Sequence, residues 1–312
     1  GNQLMKYIPI GTTDLKASNI ALGNMRLTEL SLNEAEKLIK TALEEGINFF
    51  NHADIYAVGK SEKSFAEAVQ MNASIREKMI IQSKCGIRPE GGYFDFSKEH
   101  IISSVDGILK RLNTEYLDIL LLHRPDALME PEEVAEAFNE LQEKGKVRHF
   151  GVSNHNPMQI ELLEKKIKKK IIANQLQFSV AHTPMIDSGI TLNMNIEQSV
   201  NRDSSILEYC RLKDITIQAW SPFQHGFFEG AFLGDRKLYA ELNEVIDDLA
   251  SKYGVKNTTI AAAWITRHPA NMQVVIGTTN VDRLKDACKA SEMRLTREEW
   301  YQLYKAAGNM VP

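Results

Sequence analysis

Short apolar runs alternate with amphipathic helical patterns along most of the chain, and this alternation limits the fold more than any other feature. It is typical of parallel sheets, in which each helix leads across to the next strand. Ser31 and Glu34 form a capping box at the start of the first helix, and Gly46 ends that helix. Thr296 and Glu299 mark the start of the last helix in the same way.

The number and spacing of the segments predict one (β/α)8 barrel, the TIM barrel. A chain of 312 residues suits this fold, and no composition shift or linker marks a second domain. We expect residues 1–312 to form a single barrel domain, with extra helices before the last strand and at the C-terminus. The strands are predicted at 79–84, 116–123, 147–153, 171–177, 216–220 and 274–276, with an earlier one from 47. The helices are predicted at 60–71, 97–112, 131–144, 157–168, 205–213, 239–254 and 258–268.

Two long stretches, 178–203 and 221–238, interrupt the short connections. Loops of this length in a compact domain are usually binding loops or lids. Both follow strands, so we expect both at the carboxyl-end face of the barrel, where such folds build their pockets.

Composition argues against several kinds of protein. The net charge of -4 shows no basic bias, so neither nucleic acid nor an anionic membrane surface is an expected partner. Cys85, Cys210 and Cys288 lie far apart, which favours a reduced, cytoplasmic protein and indicates no metal site. We find no signal-peptide pattern and no apolar run long enough for a membrane span.

Three residues able to handle a proton come at the ends of predicted strands. They are Tyr56, Lys84 and His123. A tyrosine phenol has a reference pKa of about 10 and needs a nearby cation to exchange a proton near neutrality. Lys84 would supply that charge, and His123 would orient a carbonyl oxygen.

Four separated motifs lie at the ends of successive predicted strands. They are Asn51-His52-Ala53-Asp54-Ile55-Tyr56, Gln82-Ser83-Lys84-Cys85-Gly86, Leu121-Leu122-His123-Arg124-Pro125 and Gly151-Val152-Ser153-Asn154. These motifs resemble those of the aldo-keto reductase superfamily, in its order, and look most like its bacterial branch of largely unassigned oxidoreductases. The resemblance implies that Tyr56 is the general acid in carbonyl reduction, with Lys84 assisting it and His123 binding the substrate oxygen, and that a nicotinamide supplies the hydride.

The fourth catalytic position departs from this resemblance, because Asn51 stands where the family has an aspartate. An amide still accepts a hydrogen bond but brings no counter-charge for Lys84. An unpaired Lys84 acts more strongly on Tyr56, yet it is easier to deprotonate if buried. We expect an active protein with a shifted pH profile.

Two other classes of function stay open. Because of Asn51, a catalytically weak nicotinamide-binding sensor or regulatory subunit on the same barrel is the main alternative. A metal-dependent barrel hydrolase built on His52, Asp54 and His123 is disfavoured, because no further carboxylate or lysine cluster joins them.

The cofactor site expected from the resemblance lies at several strand ends. No GxGxxG follows the first strand, so a Rossmann-type site is not expected. Ser153, Asn154 and Gln175 would bind the nicotinamide carboxamide, and the Trp220 indole would stack on the ring. The remaining expected contacts are Ser221, Pro222 and Phe223 along the pyrophosphate, and Gly23, Asn24 and Met25 after the first strand.

A second part of the expected cofactor site follows the last strand. Gly277, Thr278, Thr279 and Asn280 precede a helix and resemble a phosphate-binding turn, because free backbone N–H groups and the helix dipole favour an anion. Arg283 resembles an arginine that holds the adenosine 2′-phosphate, which favours NADPH. Gly277 stands where the family frequently has a lysine, and Ala287, next to Asp286, stands where it has an asparagine on the adenine side. Both differences reduce the expected discrimination between the two cofactors, so NADH remains an option.

The substrate is expected to be a small-molecule carbonyl compound. Loop residues Met25, Arg26, Tyr93, His182 and Phe223 are candidates for the pocket wall, and their character favours apolar or aromatic aldehydes and ketones. Arg26 or Arg124 would meet a carboxylate. The resemblance alone favours a monomer.

Overall fold

Eight parallel strands close into a barrel in the computed structural model, which describes residues 4–226 and 230–312. Each strand pairs with the next along the chain, and the last pairs with the first through Val275 and Ala21. The predicted (β/α)8 barrel is confirmed. The strands are β1 (Ile20–Gly23), β2 (Phe49–Asn51), β3 (Ile80–Cys85), β4 (Leu117–Leu122), β5 (Val147–Ser153), β6 (Ile171–Gln177), β7 (Thr216–Trp220) and β8 (Gln273–Ile276).

Helices surround the barrel, and their ends follow the capping signals in the sequence. Ser31 and Glu34 form the capping box of the first helix, and Thr296 and Glu299 form that of the last. The helices are α1 (Leu32–Glu44), α2 (Lys60–Val69), α3 (Ala73–Arg76), α4 (Lys98–Leu112), α5 (Pro131–Glu143), α6 (Pro157–Ile167), α7 (Pro184–Ile190), α8 (Ile206–Leu212), α9 (Ala240–Tyr253), α10 (Asn257–Thr266), α11 (Val281–Cys288) and α12 (Arg297–Ala306). As predicted, α9 and α10 precede the last strand and α12 follows it.

Alternation along the strands divides the buried side chains into two layers. On β2, Phe49 packs in the barrel interior, whereas Phe50 packs between barrel and helices. On β3, Ile80 points inward and Ile81 outward. This alternation decides which polar residues reach the interior.

An antiparallel hairpin of Tyr7–Pro9 and Lys16–Ser18 precedes the barrel. Ile10 and Ala17 from this segment are buried in the interior cluster, and the Gly11 amide donates to Thr216 Oγ1 at 2.7 Å, near the start of β7. The hairpin therefore closes the amino-terminal end of the barrel and leaves the carboxyl ends for a site.

The stretch 178–203, predicted to be irregular, instead contains α7 and a 3-10 turn at Glu197–Ser199. Pro184 occupies the first turn of α7, and Tyr304 from α12 donates to Asp187 at 2.7 Å. Tertiary contact thus supports a helix too short to be recognised from local sequence. Of the predicted loop 221–238, residues 227–229 lie outside the described residues. No helix in the described ranges is long and apolar enough to cross a membrane.

Candidate active site

Lys84 and Tyr56 are in direct contact at the carboxyl end of the barrel. Lys84, on β3, is fully buried, and its Nζ donates to the Tyr56 hydroxyl and to the His52 carbonyl oxygen, both at 2.9 Å. Tyr56 begins a 3-10 turn, Tyr56–Gly59, that follows β2. A phenol hydrogen-bonded to an ammonium group is able to release and recover a proton.

His123 follows β4 and completes the group of three side chains predicted from the strand ends. Its ring lies edge-on to that of Tyr56, with centroids 6.3 Å apart. Burial, reinforced by the charges of Lys84 and Arg124, holds the pKa of His123 well below its usual value. The imidazole is therefore neutral at neutral pH and acts as a hydrogen-bonding group rather than a cation.

The turn that carries Tyr56 has a strained backbone. Ala57 and Val58 adopt left-handed conformations with φ of 50° and 55°, and Gly59 follows with φ of 86°. A β-branched residue rarely adopts this conformation. Val58 is also 88% exposed, so no burial of its side chain compensates the strain. Strain of this kind is often found beside functional groups.

Asn51, the last residue of β2, contacts glutamines in the barrel interior. Its Oδ1 accepts hydrogen bonds from Gln82 Nε2 at 2.9 Å and Gln175 Nε2 at 3.1 Å. Within the described part of the chain, Lys84 Nζ finds its oxygen partners at His52 and Tyr56 and not at Asn51. The Asn51 side chain is thus part of a hydrogen-bond network in the barrel interior.

This network continues toward the closed end of the barrel. Gln218 Oε1 accepts from both Gln82 and Gln175, and Gln218 Nε2 donates to Gln273, which in turn donates to the Ser18 carbonyl. This network of Gln82, Gln218 and Gln273 was not predicted from the sequence. A signal was present, because glutamine recurs at inward positions of otherwise apolar strands.

Asp54 lies between Asn51 and Tyr56. Its backbone amide donates to the Lys84 carbonyl, and its Oδ1 is buried with no hydrogen-bond partner among the described residues. Burial, and next the charge of Glu62, raise the pKa of Asp54 to about 7, against smaller opposing effects of Arg111 and Lys84. In residues 4–226 and 230–312, no group of three or more His, Cys, Asp or Glu is arranged to hold a metal ion.

The four residues expected on the nicotinamide side lie together. Ser153 Oγ donates to the Gln175 carbonyl at 2.9 Å, Asn154 Nδ2 donates to Ser153 Oγ at 2.9 Å, and Trp220 Nε1 donates to Asn154 Oδ1 at 3.3 Å. Both Nε2 hydrogens of Gln175 are used inside the barrel, by Asn51 and Gln218. Its Oε1 is the group left for an outside donor, which suits the NH2 of a carboxamide.

The remaining strand-end residues border the same opening. Asn24 donates through both its backbone amide and Nδ2 to the Asn51 carbonyl at 3.1 Å, and its buried Oδ1 has no partner among the described residues. Gly23 pairs with Asn51 in register, and Met25 is exposed. After β7 come Ser221 with φ of 50°, the buried Pro222 and the half-buried Phe223.

The phosphate-like turn lies after β8, as expected. Thr278 Oγ1 accepts from the Asn280 amide at 3.0 Å, and the Asn280 side chain caps α11 by accepting from the Arg283 amide at 2.9 Å. Gly277 and Arg283 are exposed, while Thr279 is half-buried. Asp286 pairs with Lys289 at 3.5 Å, and Ala287 is buried in the core. An exposed helix start with an arginine one turn in fits an anionic group.

Comparison with known proteins identifies the family. The model of the aldo/keto reductase family matches residues 19–307. The chain therefore belongs to this family and is an oxidoreductase of it, as the four motifs predicted. Members of the family typically use NAD(P)H and act on small carbonyl compounds.

Similar bacterial proteins extend over nearly the whole chain. An uncharacterized oxidoreductase of Bacillus subtilis, YcsN, is 34% identical over 94% of this chain and 95% of its own length. The oxidoreductase YdhF of Escherichia coli is 33% identical over 99% of this chain and 100% of its own. A 6-dehydroglucose reductase of Agrobacterium fabrum is 30% identical over 94% of this chain and 95% of its own.

A solved structure supports the fold independently. The thermostable aldo-keto reductase Tm1743, in complex with the inhibitor epalrestat, superposes with a TM-score of 0.75, covering 97% of this chain and 100% of its own. The two sequences are 24% identical, so the likeness concerns the barrel architecture.

Proposed function

We propose that this oxidoreductase reduces aldehydes or ketones to alcohols with NADPH, and that Tyr56 is its general acid. The observation that carries the proposal is the 2.9 Å hydrogen bond from Lys84 Nζ to the Tyr56 hydroxyl in a buried strand-end site. Family membership and relatives that include a 6-dehydroglucose reductase support the same class of reaction.

The side chains divide the work on the carbonyl group. Tyr56 donates a proton to the oxygen as negative charge develops on it, and the Lys84 ammonium stabilises the phenolate that remains. The neutral His123 hydrogen-bonds the same oxygen and orients it. A bound nicotinamide supplies the hydride.

The cofactor would lie across the barrel mouth from β5 to α11. Gln175 Oε1, Ser153 and Asn154 would hold the carboxamide, and the half-buried Trp220 would offer its ring face to the nicotinamide. Ser221, Pro222 and Phe223 would line the pyrophosphate together with Gly23, Asn24 and Met25. At the far end, the Gly277–Thr279 turn and Arg283 would bind the adenosine phosphate, with Asp286 close by. NADPH is preferred because an arginine pairs well with a 2′-phosphate.

Exposed apolar side chains in the strand-end loops favour apolar or aromatic substrates. Met25 is 41% exposed and Tyr93 is 52% exposed, and the half-buried Phe223 lies in the loop after β7. Such a wall would bury a hydrocarbon or aromatic body while the carbonyl group reaches Tyr56.

A panel of aliphatic, aromatic and sugar-derived carbonyl compounds, assayed with NADPH and NADH in parallel, tests the proposal. We expect NADPH oxidation with at least one simple aldehyde, and a lower kcat/KM with NADH. Tight NADPH binding without turnover of any carbonyl would overturn the proposal and favour the sensor alternative.

A further inference from the structure

A buried carboxylate on α2 joins the elements that carry the two proton-handling residues. Glu62 is fully buried, and its Oε2 accepts from Ser83 Oγ at 2.8 Å. Its Oε1 accepts from Arg111 Nε on α4 at 2.8 Å and forms an ion pair with Arg111 Nη2, also at 2.8 Å. Two hydrogen bonds and an ion pair with a guanidinium group favour the ionised carboxylate. We call Ser83, Glu62 and Arg111 the carboxylate clamp.

The carboxylate clamp lies directly behind Lys84. Ser83 and Lys84 are neighbours on β3, and alternation turns Ser83 toward the helices and Lys84 toward the barrel interior. The Glu62 charge is therefore fixed on the opposite side of the strand from the Lys84 side chain. Both side chains are fully buried, so the attraction between them is only weakly screened.

The same clamp holds the turn of Tyr56. A side chain added at Gly59 would lie 2.9 Å from the Cδ and Nε atoms of Arg111, so the arginine stem packs on the turn backbone. The arginine that binds Glu62 thus also packs against the segment Tyr56–Gly59. The Glu62–Arg111 ion pair therefore contacts both β3, which carries Lys84, and the turn that carries Tyr56.

Lys84 needs a negative charge in its surroundings, because a buried ammonium group is costly when unpaired. Asn51 is neutral, and its oxygen is taken by Gln82 and Gln175. Asp54 is an incomplete substitute, because burial raises its pKa to about 7 and leaves it partly protonated at neutrality. Burial leaves the pKa of Glu62 above its usual value as well, but the Arg111 charge, the Ser83 hydrogen bond and the Lys84 charge limit the rise.

We propose that Glu62 is a positioning residue for the proton transfer, holding Lys84 charged in place of the aspartate that position 51 lacks. This inference rests on the proposed function. Glu62 acts through Lys84 and touches neither substrate nor cofactor. The charged and titratable groups around the pair are His52, Asp54 and Tyr56 on the segment after β2, Cys85 on β3, Arg111 on α4, Arg76 on α3, and His123 and Arg124 after β4.

The test is the pH profile of kcat/KM for an aldehyde at saturating NADPH. In Glu62→Gln, both the Lys84 ammonium and the Tyr56 phenol lose their protons more easily, because a negative charge is gone and Arg111 is left uncompensated. Both effects remove the state in which Tyr56 is able to donate a proton beside a charged Lys84. The basic limb of the kcat/KM profile therefore moves to lower pH by about one unit. Glu67→Gln, an exposed change on the same helix, is the matched control and leaves the limb in place.

Two further variants separate charge from structure. Adding Asn51→Asp to Glu62→Gln returns the basic limb toward the wild-type position, since a carboxylate is restored near Lys84. Glu62→Gln combined with Arg111→Met leaves no unpaired charge in the clamp. Glu62 bonds to Ser83, the neighbour of Lys84, and Arg111 lies beyond it, so the limb still moves down, by less, and this double variant decides the question if Glu62→Gln alone does not fold. A merely structural role predicts a lower rate at every pH, an unmoved limb and no rescue.

The outcomes distinguish a failure of this inference from a failure of the proposed function. If the wild type is active and its basic limb is unchanged in Glu62→Gln, or in the double variant with Arg111→Met where that variant decides, the role of Glu62 alone is overturned. A wild type that turns over no carbonyl overturns the proposed function, and this inference with it.

Discussion

The side-chain oxygen of Asn51 accepts a hydrogen bond from the Gln175 amide at 3.1 Å, and this contact links the proton-transfer residues to the expected nicotinamide site. The same oxygen accepts from Gln82 at 2.9 Å. Asn51 therefore fixes which atom of Gln175 faces the opening. The residue at position 51 has a structural task that does not require a charge.

Two substitutions at position 51 separate this task from the effect of charge. Asn51→Ala leaves one N–H of each of two buried amides without an acceptor, which costs about 1–3 kcal/mol, and we expect NADPH binding to weaken about tenfold. Asn51→Asp keeps an acceptor, so NADPH binding changes little, while the added charge moves the basic limb of kcat/KM to higher pH. Fluorescence titration and pH profiles measure the two effects. Superimposable pH profiles for wild type and Asn51→Asp would contradict the charge argument.

Arg283 is expected to set the choice between the two nicotinamide cofactors. It is exposed one turn into α11, beside the turn proposed to bind the 2′-phosphate. Arg283→Ala should weaken NADPH binding about tenfold, the loss of one charge-assisted hydrogen bond, and leave NADH binding nearly unchanged. Lys285→Ala, on the same helix, is the control for a general loss of positive charge. Equal weakening of both cofactors by Arg283→Ala would exclude the assigned role.

Val58→Gly should stabilise the protein. Val58 has φ of 55° and is 88% exposed, so glycine relieves left-handed strain without losing buried surface. The relief of about 1–2 kcal/mol exceeds the extra chain entropy of glycine, and we expect a net gain of about 0.5–1 kcal/mol in unfolding free energy. Val58→Ala keeps the Cβ atom and should gain less. Denaturant unfolding measures both, and a glycine variant no more stable than the alanine one would rule out the strain.

Asp54 makes stability depend on pH. Its pKa is about 7 in the folded protein and 3.8 in the reference state, so the folded state keeps a proton that the unfolded state has lost between these values. Stability from this group therefore falls as the pH rises from about 4 to about 7. Asp54→Asn should be more stable than wild type at pH 8 by a margin that shrinks at pH 5. Asp14→Asn, at an exposed carboxylate, should show no such trend.

The sequence predicted the barrel because its signals are local. Capping boxes such as Ser31 with Glu34 and periodic apolar runs identify helices and strands one at a time, and alternation then dictates a parallel barrel. Strand ends located Tyr56, Lys84 and His123 for the same reason. The role of these residues in catalysis stays a prediction.

Long-range contacts between polar groups could not be predicted from the sequence. Glu62, Ser83 and Arg111 are far apart along the chain, and nothing local indicates that they share one buried site. The glutamine network around Gln218 depends on which strand faces lie opposite one another across the barrel. Helix α7 was missed because its support comes from Tyr304 at the other end of the chain.

Tyr56→Phe provides the most direct test of the central claim, that Tyr56 donates the proton. The variant keeps the ring and removes the hydroxyl that meets Lys84 Nζ at 2.9 Å. We predict a fall in kcat/KM for the best aldehyde by about two to four orders of magnitude, the usual contribution of a general acid, with NADPH affinity unchanged. Turnover at the wild-type rate by Tyr56→Phe would contradict the account.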